Sequence, residues 1–310
     1  MTSPNPYQLQ RVAASDVEGL LATCFPVKAG GSFFDDFPIW RAGPRVEWFG
    51  VTGPEGVVAC AGMMTGQWHP GAHSPEGLSL KLVRIGGVAT HPQLRGKGVA
   101  SVLVEALVER AKQQGNDAVA LWGIDSPLYG RLGFQGRGHQ VRVPLGPLDL
   151  GVERAPGLFR VEEGFRSDLL PLLQKTREWA GGVELGFADL GWLEKHQNTR
   201  WIRVLESQDD SRDDSQDRAV AYGAFGRGMD LGLQLHDWGG DSQALRAVFR
   251  WARSLDPQAE LMGSKWAVSQ ALGFLPPVLT EESACMLLLL HDSKIAPHEE
   301  AIWFWGLDGV

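Results

Sequence analysis

The second half of this 310-residue chain repeats the first. The segment LWGIDSPLYGRLGF, Leu121 to Phe134, aligns without a gap on LMGSKWAVSQALGF, Leu261 to Phe274. Upstream, VVACAGMMTG has a counterpart in AVAYGAFGRG, and the helical pattern after Arg95 has one in SQALRAVFRWARSLD. Matches of three elements in one order predict a tandem duplication of a single fold.

The crossing between the copies is expected at Val143 to Gly157, where three prolines and three glycines interrupt every periodic pattern. We therefore predict a first domain at 1–145, a linker at 146–157 and a second domain at 158–310. A separate acidic stretch, Glu206 to Arg218, holds six acidic and two basic residues and is expected to be a solvated loop between two strands.

The periodicity of the first copy predicts an α/β fold. Strand, helix and strand follow one another closely, which implies parallel pairing. The predicted elements are strands at VEWFGVTG, GVVACAGMMTG and LSLKLVRIGGVAT, a helix at about Val99 to Gln114, a strand at DAVALWG, a short helix at SPLYGRLG and a last strand through HQVRVPL.

Composition narrows the classes of function. A net charge of −8 disfavours nucleic acid as a partner, because phosphate backbones select clustered Lys and Arg. Three widely separated cysteines favour neither a disulfide framework nor a zinc site, and indicate a reducing compartment. The sequence has no apolar run of membrane-spanning length and no signal-peptide pattern near its start. We therefore expect a cytoplasmic protein with no membrane and no metal partner.

A Gly-rich basic turn, Arg95-Gly96-Lys97-Gly98, precedes the predicted helix. That helix places Val99, Val102, Leu103, Ala106, Leu107 and Arg110 on one face, which is expected to pack on a sheet. Free N–H groups at a helix start, two glycines and two cations favour an anion such as pyrophosphate. The spacing fits neither a Walker loop nor a dinucleotide-binding fingerprint.

The turn resembles the Arg-x-x-Gly-x-Gly/Ala signature of the GCN5-related N-acetyltransferases, and LYGRLGF resembles that family's Tyr and Gly-Phe landmark. The resemblance covers most of residues 8 to 144. It implies a mixed sheet with two splayed strands in each copy, flanked by helices, and acetyl-CoA as co-substrate. By resemblance, the pantetheine edge is Val88, Ala89 and Thr90, and the phosphate site is Arg95, Gly96, Lys97, Gly98, Val99, Ala100 and Ser101.

The resemblance also implies the chemistry. Tyr129 stands where the family keeps the general acid that protonates the leaving thiolate. No glutamate lies on the splayed strand, so the base stays open: Asp125 acting through water, Glu47, or the pair Asp35 and Asp36. Trp40, Trp48, Trp68 and Trp122 are candidates for an aromatic acceptor pocket or for core packing.

The chain end is a further candidate for the base. EEAIWFWGLDGV is too apolar to stay in water without cost. Tandem enzymes of the enhanced-intracellular-survival type, which this chain resembles without their third domain, bring a C-terminal carboxylate into the active site. By that resemblance we expect the tail to dock near Tyr129, with Asp308 or the Val310 carboxylate assisting deprotonation.

The second copy has lost these features. HDWGGDSQAL stands where the phosphate turn should be, with Asp237 and Asp241 in place of cations, and Ser269 occupies the Tyr129 position. We therefore predict an active first copy and a degenerate second copy that walls the acceptor site.

The predicted activity is acetyl transfer from acetyl-CoA to a primary amine of a small molecule or peptide. The alternative is a non-catalytic acyl-CoA-binding sensor. The sequence leaves the acceptor, the acyl-chain preference and a homo-oligomeric state open.

Overall fold

The computed structural model describes residues 9–27, 31–54, 56–72, 79–122, 127–151, 159–206, 218–228, 230–277, 279–291 and 302–308. Within these ranges thirteen strands form one mixed sheet with helices on its faces. The acidic stretch predicted as a loop lies mostly outside the described residues, between the strands that end at Glu206 and begin at Ala219. No helix of the described ranges is both long and apolar enough to cross a membrane.

The elements of the first copy follow the prediction closely. They are β1 (Leu9–Val12), α1 (Ala14–Cys24), α2 (Phe33–Asp36), α3 (Ile39–Ala42), β2 (Val46–Gly53), β3 (Gly56–His69), β4 (Leu80–Thr90), α4 (Val99–Gln113), β5 (Ala118–Leu121), α5 (Pro127–Arg131) and β6 (Gln135–Pro144).

The second copy has the same order except that a short strand, β8, stands where the first copy has α2. It comprises β7 (Phe159–Glu163), α6 (Leu170–Ala180), β8 (Gly182–Val183), α7 (Leu190–Leu193), β9 (Arg200–Glu206), β10 (Ala219–Phe225), β11 (Gln234–Gly240), α8 (Ser242–Leu255), β12 (Glu260–Gly263), α9 (Lys265–Leu272) and β13 (Thr280–Leu289). As the repeat predicted, β4 pairs parallel with β5, and β11 pairs parallel with β12.

The last strands of the two copies change places. The strand order is β1-β2-β3-β4-β5-β13-β6-β12-β11-β10-β9-β7, and β8 adds to β3. β13 therefore pairs with β5 of the first copy, with Met286 opposite Leu121, while β6 pairs with β12, with Val141 opposite Gly263. The domains at 1–145 and 158–310 stay a prediction, and one sheet contains strands from both segments.

The buried stripe of α4 is rotated from the predicted one. Its buried residues are Val99, Leu103, Val104, Leu107, Val108 and Ala111. Val102 and Ala106 lie half-buried at the edge of this stripe. Arg110, predicted on the apolar face, stacks over the Phe49 ring at 5.0 Å and bonds to Glu47, so its stem covers the edge while its charge stays paired.

Residues 302–308, hereafter the C-terminal segment, pack into the interior. Its aromatic side chains Trp303, Phe304 and Trp305 are each at most 3% exposed. The segment touches both copies: Trp68 of β3 donates from Nε1 to the Trp303 carbonyl at 2.9 Å, and Trp305 donates from Nε1 to the Gly181 carbonyl at 2.9 Å. The apolar tail is thus buried, as its composition required.

Stability should depend on pH through His236, which is fully buried beside the C-terminal segment. Burial, followed by the nearby charge of Arg227, lowers its pKa from 6.5 to about 3. Below pH 6.5 His236 is protonated in the unfolded chain but stays neutral in the folded chain. Stability is therefore lost as the pH falls from 6.5 towards 3, by at most about 1.4 kcal/mol per pH unit.

Urea unfolding between pH 7 and pH 5 checks this expectation, with His236→Gln as the comparison. The variant should show a shallower loss of stability on acidification than the wild type. Equal slopes for the two proteins would contradict the expectation. Some slope should remain, because the pKa of buried His196 is also lowered by desolvation.

Candidate functional site

β4 and β5 separate at one end. They pair in register from Leu82 opposite Ala118 to Ile85 opposite Leu121. β4 then runs on to Thr90 while pairing only with β3 among the described strands. The side of β4 that faced β5 is therefore left open beyond Ile85, at a gap between two parallel strands.

A bulge in β4 accompanies the separation. The register against β3 shifts between Cys60 and Gly62, whose partners are Ala89 and Gly86, so β4 has one extra residue there. Gly87 sits in this bulge with φ +58°, and a Cβ at this position would lie 2.6 Å from the Trp48 ring. Glycine is needed both for the left-handed backbone and for the close indole.

The turn Arg95 to Gly98, predicted as the phosphate site, has unpaired N–H groups and open space beside it. Gly96 and Gly98 have φ +76° and +79°, and a Cβ at either would meet nothing within 4 Å. α4 begins at Val99 without a side-chain cap. Among the hydrogen bonds of the described residues, five backbone N–H groups here have no acceptor, those of Gly96, Gly98, Val99, Ala100 and Ser101. Such a helix start attracts an anion.

The predicted pantetheine edge and the turn lie together. Arg95 donates from Nε to the Thr90 carbonyl at 3.3 Å and from a terminal nitrogen to the Cys24 sulfur at 3.7 Å. Lys97 is exposed. Val88, Ala89 and Thr90 occupy the open stretch of β4. Cys24 has no sequence motif to announce it, because it reaches this corner from the end of α1.

In the second copy, a side chain of the protein caps the start of α8, the helix that corresponds to α4. β11 leads into α8 through Asp241, which caps the helix by accepting from the N–H groups of Gln243 and Ala244 at 2.9 and 3.0 Å. A carboxylate already occupies the place that an anion would need. Ser269 lies in α9, the counterpart of α5. The degeneracy of the second copy stays a prediction.

Tyr129 lies half-buried on α5, against the core beneath α4. Its ring meets Phe134 edge to face, with centroids 6.1 Å apart, and packs on the cluster that includes Ile85 and Leu121. Burial raises its pKa. In the described part of the chain its hydroxyl has no hydrogen-bond partner. The phenol is therefore protonated at neutral pH and free to donate.

Three of the candidate carboxylates, Glu47, Asp35 and Asp36, have partners among the described residues. Asp125 and Val310 lie outside the described residues. Glu47 is held between Arg11 and Arg110, each at 3.1 Å. Asp35 accepts from the Ser32 N–H at 2.7 Å, and Asp36 is buried against Asn198 at 2.5 Å.

Asp308 is fully buried in an ion pair with Arg177 at 3.1 Å. Its second oxygen accepts from the N–H groups of Val183 and Trp305, each at 3.1 Å. The C-terminal segment packs with Leu82, whereas Tyr129 packs with Val83 and Ile85, so the two lie against opposite faces of β4. The Asp308 carboxylate is therefore a buried structural group and does not lie near Tyr129.

Of the four tryptophans proposed for an acceptor pocket, three lie in the core and one lies beside the opening between β4 and β5. Trp40, Trp48 and Trp68 are buried at 3% exposure or less, which is core packing. Trp122 follows the last residue of β5 and meets Phe304 edge to face at 4.9 Å. It therefore stands where the two strands part.

Sequence reasoning assigned no role to Arg84, which lies on β4 one residue before the separation. It is 2% exposed and donates to the Asp308 carbonyl at 2.7 Å. Burial lowers its pKa to about 10, so it stays charged at neutral pH. The available signal was a basic residue inside the apolar run LKLVRIGGV.

Known proteins share this architecture. Residues 58–136 match the family model described as acetyltransferase (GNAT) domain. A search of curated proteins found no match. The fold is similar to a GCN5-related N-acetyltransferase from Kribbella flavida, with 21% identity, 92% of this chain and 71% of that chain covered, and a TM-score of 0.60.

Two further structures are similar. Eis1 from Mycobacterium abscessus has 13% identity, covers 91% of this chain and 73% of its own, and gives a TM-score of 0.52. A tandem GNAT protein from the clavulanic acid biosynthesis pathway has 13% identity, covers 93% of this chain and 100% of its own, and gives a TM-score of 0.50. The predicted resemblance is confirmed: residues 58–136 match an acetyltransferase (GNAT) domain, and the chain has the fold of tandem GNAT proteins.

Proposed function

We propose that the first copy transfers an acetyl group from acetyl-CoA to a primary amine of a small molecule or peptide. The observation that carries the proposal is the opening between β4 and β5 beside a turn with five free N–H groups. The N–H groups of Gly96 and of Gly98 to Ser101 would hold the pyrophosphate, with charge added by Arg95 and Lys97.

The pantetheine arm would lie along the open stretch of β4. Val88, Ala89 and Thr90 have no strand partner on the side that β5 has left, so their main chain is free to pair with the amide groups of the arm. The thioester would then lie towards Ile85 and Leu121, where the strands meet and where Tyr129 packs.

Direct transfer then needs three events. The amine nitrogen attacks the thioester carbonyl carbon, the C–S bond breaks, and the sulfur takes a proton from the Tyr129 hydroxyl. The amine loses its proton to a base, for which we retain Asp125 through water, or the Val310 carboxylate. The second copy would bind no acyl-CoA, because Asp241 fills the anion position of its helix.

The test is free-thiol release from acetyl-CoA with purified protein and a panel of primary amines. Release that requires an amine would establish acetyl transfer and name the acceptor class. Binding of acetyl-CoA with no release for any amine would favour the sensor. Absence of binding would refute the assignment of the turn. We also propose a cytoplasmic location and no nucleic-acid partner. Fractionation of cells that express the protein checks the location.

A further inference from the structure

A buried ion network joins the second copy to the C-terminal segment. Arg177 of α6 donates to both oxygens of Asp237 on β11, at 2.9 and 2.5 Å, and to Asp308 at 3.1 Å. Tyr222 of β10 donates to Asp237 at 2.7 Å. All four residues are at most 2% exposed.

The network continues into the first copy through the main chain. Arg84 donates to the Asp308 carbonyl at 2.7 Å. Arg84 is paired with Ala120. The next pair, Ile85 with Leu121, is the last one before β4 and β5 separate. The end of the C-terminal segment is thereby fixed beside the opening.

The same segment also borders the other strand. Phe304 packs between Trp68 of β3 and Trp122, at centroid distances of 6.2 and 4.9 Å. Trp122 directly follows β5. The C-terminal segment therefore bounds the opening at both strands, on the face opposite α4.

Stability alone does not account for four buried polar side chains. Apolar residues of similar volume commonly stabilise a core as well as buried ion pairs do. What a bidentate arginine adds is geometry, because its planar fork fixes the direction of its partners. The partner here is a segment whose residues 302–305 form no helix or strand, so its path has to be fixed by contacts of this kind.

We propose that the second copy sets acceptor recognition in the first, with Arg177 and Asp237 as positioning residues that hold the C-terminal segment as one wall of the acceptor site. The inference rests on the proposed function. It gives the degenerate copy a role at the site although it binds no acyl-CoA itself.

The experiment compares Arg177→Lys and Asp308→Asn with the wild type. The lysine keeps the charge but lacks the planar fork that binds both oxygens of Asp237 while reaching Asp308, and the amide keeps the acceptor oxygen but removes the charge. Arg203→Lys is the matched control. Arg203 is a buried arginine of the second copy whose ion pairs, among the described residues, are with Asp168 and Glu162 and not with the segment.

Calorimetry gives the acetyl-CoA Kd, steady-state kinetics give the acceptor constants, and hydrogen exchange reports on residues 302–308. For both test variants we expect about a tenfold loss of acceptor kcat/KM, mainly through KM, with faster exchange in the segment and an unchanged acetyl-CoA Kd. Arg203→Lys should match the wild type in all three.

Faster exchange with unchanged acceptor constants would overturn the inference, as would a parallel loss of acetyl-CoA affinity. A wild-type protein that releases no thiol with any amine would refute the proposed function and this inference with it. Wild-type turnover with unaffected variants would refute this inference alone.

Discussion

Gly98→Ala is expected to weaken acetyl-CoA binding by about ten- to a hundredfold while leaving the chain folded. Gly98 has φ +79°, and a Cβ there would meet no atom of the protein within 4 Å. The new methyl group would instead point into the space that the phosphates need, and the strained backbone would turn the N–H groups of Gly98 and Val99 away.

Gly115→Ala provides the matched control. Gly115 follows the other end of α4, has φ +69°, and is equally free of neighbours. Both variants should lose a similar amount of stability in urea, about 1 kcal/mol, because both force alanine into a left-handed conformation. Only Gly98→Ala should lose affinity in calorimetry with acetyl-CoA. Equal affinities in the two variants would show that the turn does not hold the phosphates.

Tyr129→Phe is expected to lower kcat by about a hundred- to ten-thousandfold, the range typical of a lost general acid. The ring stays, so its packing against Phe134 and the core beneath α4 should survive. The acetyl-CoA Kd should change little, because the groups proposed to hold the pyrophosphate and the pantetheine arm are main-chain groups of the turn and of β4.

The pH profile adds a second check on Tyr129. Burial raises the pKa of the phenol above its ordinary value of 10, so the wild type should keep its proton donor up to at least that pH. Full activity in Tyr129→Phe, measured as amine-dependent thiol release at saturating substrates, would remove Tyr129 from the mechanism. A loss of kcat with an unchanged unfolding midpoint would assign the effect to proton transfer.

The local elements could be predicted from the sequence because their signals are local. β2 begins and ends at the predicted residues, and α4 ends within one residue of the prediction. The turn from Arg95 to Gly98 was found for the same reason. Its glycines, cations and helix start lie within a few residues of each other, and the free N–H groups follow from that arrangement.

The remaining features depend on contacts between distant segments. The exchange of β6 and β13 leaves no trace in either strand, since each would pair equally well with its own copy by pattern alone. Asp308 was expected near Tyr129 as a group that assists deprotonation, whereas its burial is decided by Arg177, more than a hundred residues away. Arg84 was missed because its partner is a carbonyl of that same distant segment.

The exchange of strands also has a consequence for synthesis on the ribosome. β5 is bordered on one side by β13, so the sheet of the first copy stays incomplete until Leu289 has emerged. The first copy therefore cannot finish folding before the second is made, and an unpaired strand edge persists through most of translation. Cells that slow elongation or lack holding chaperones should accumulate aggregated nascent chains of this protein.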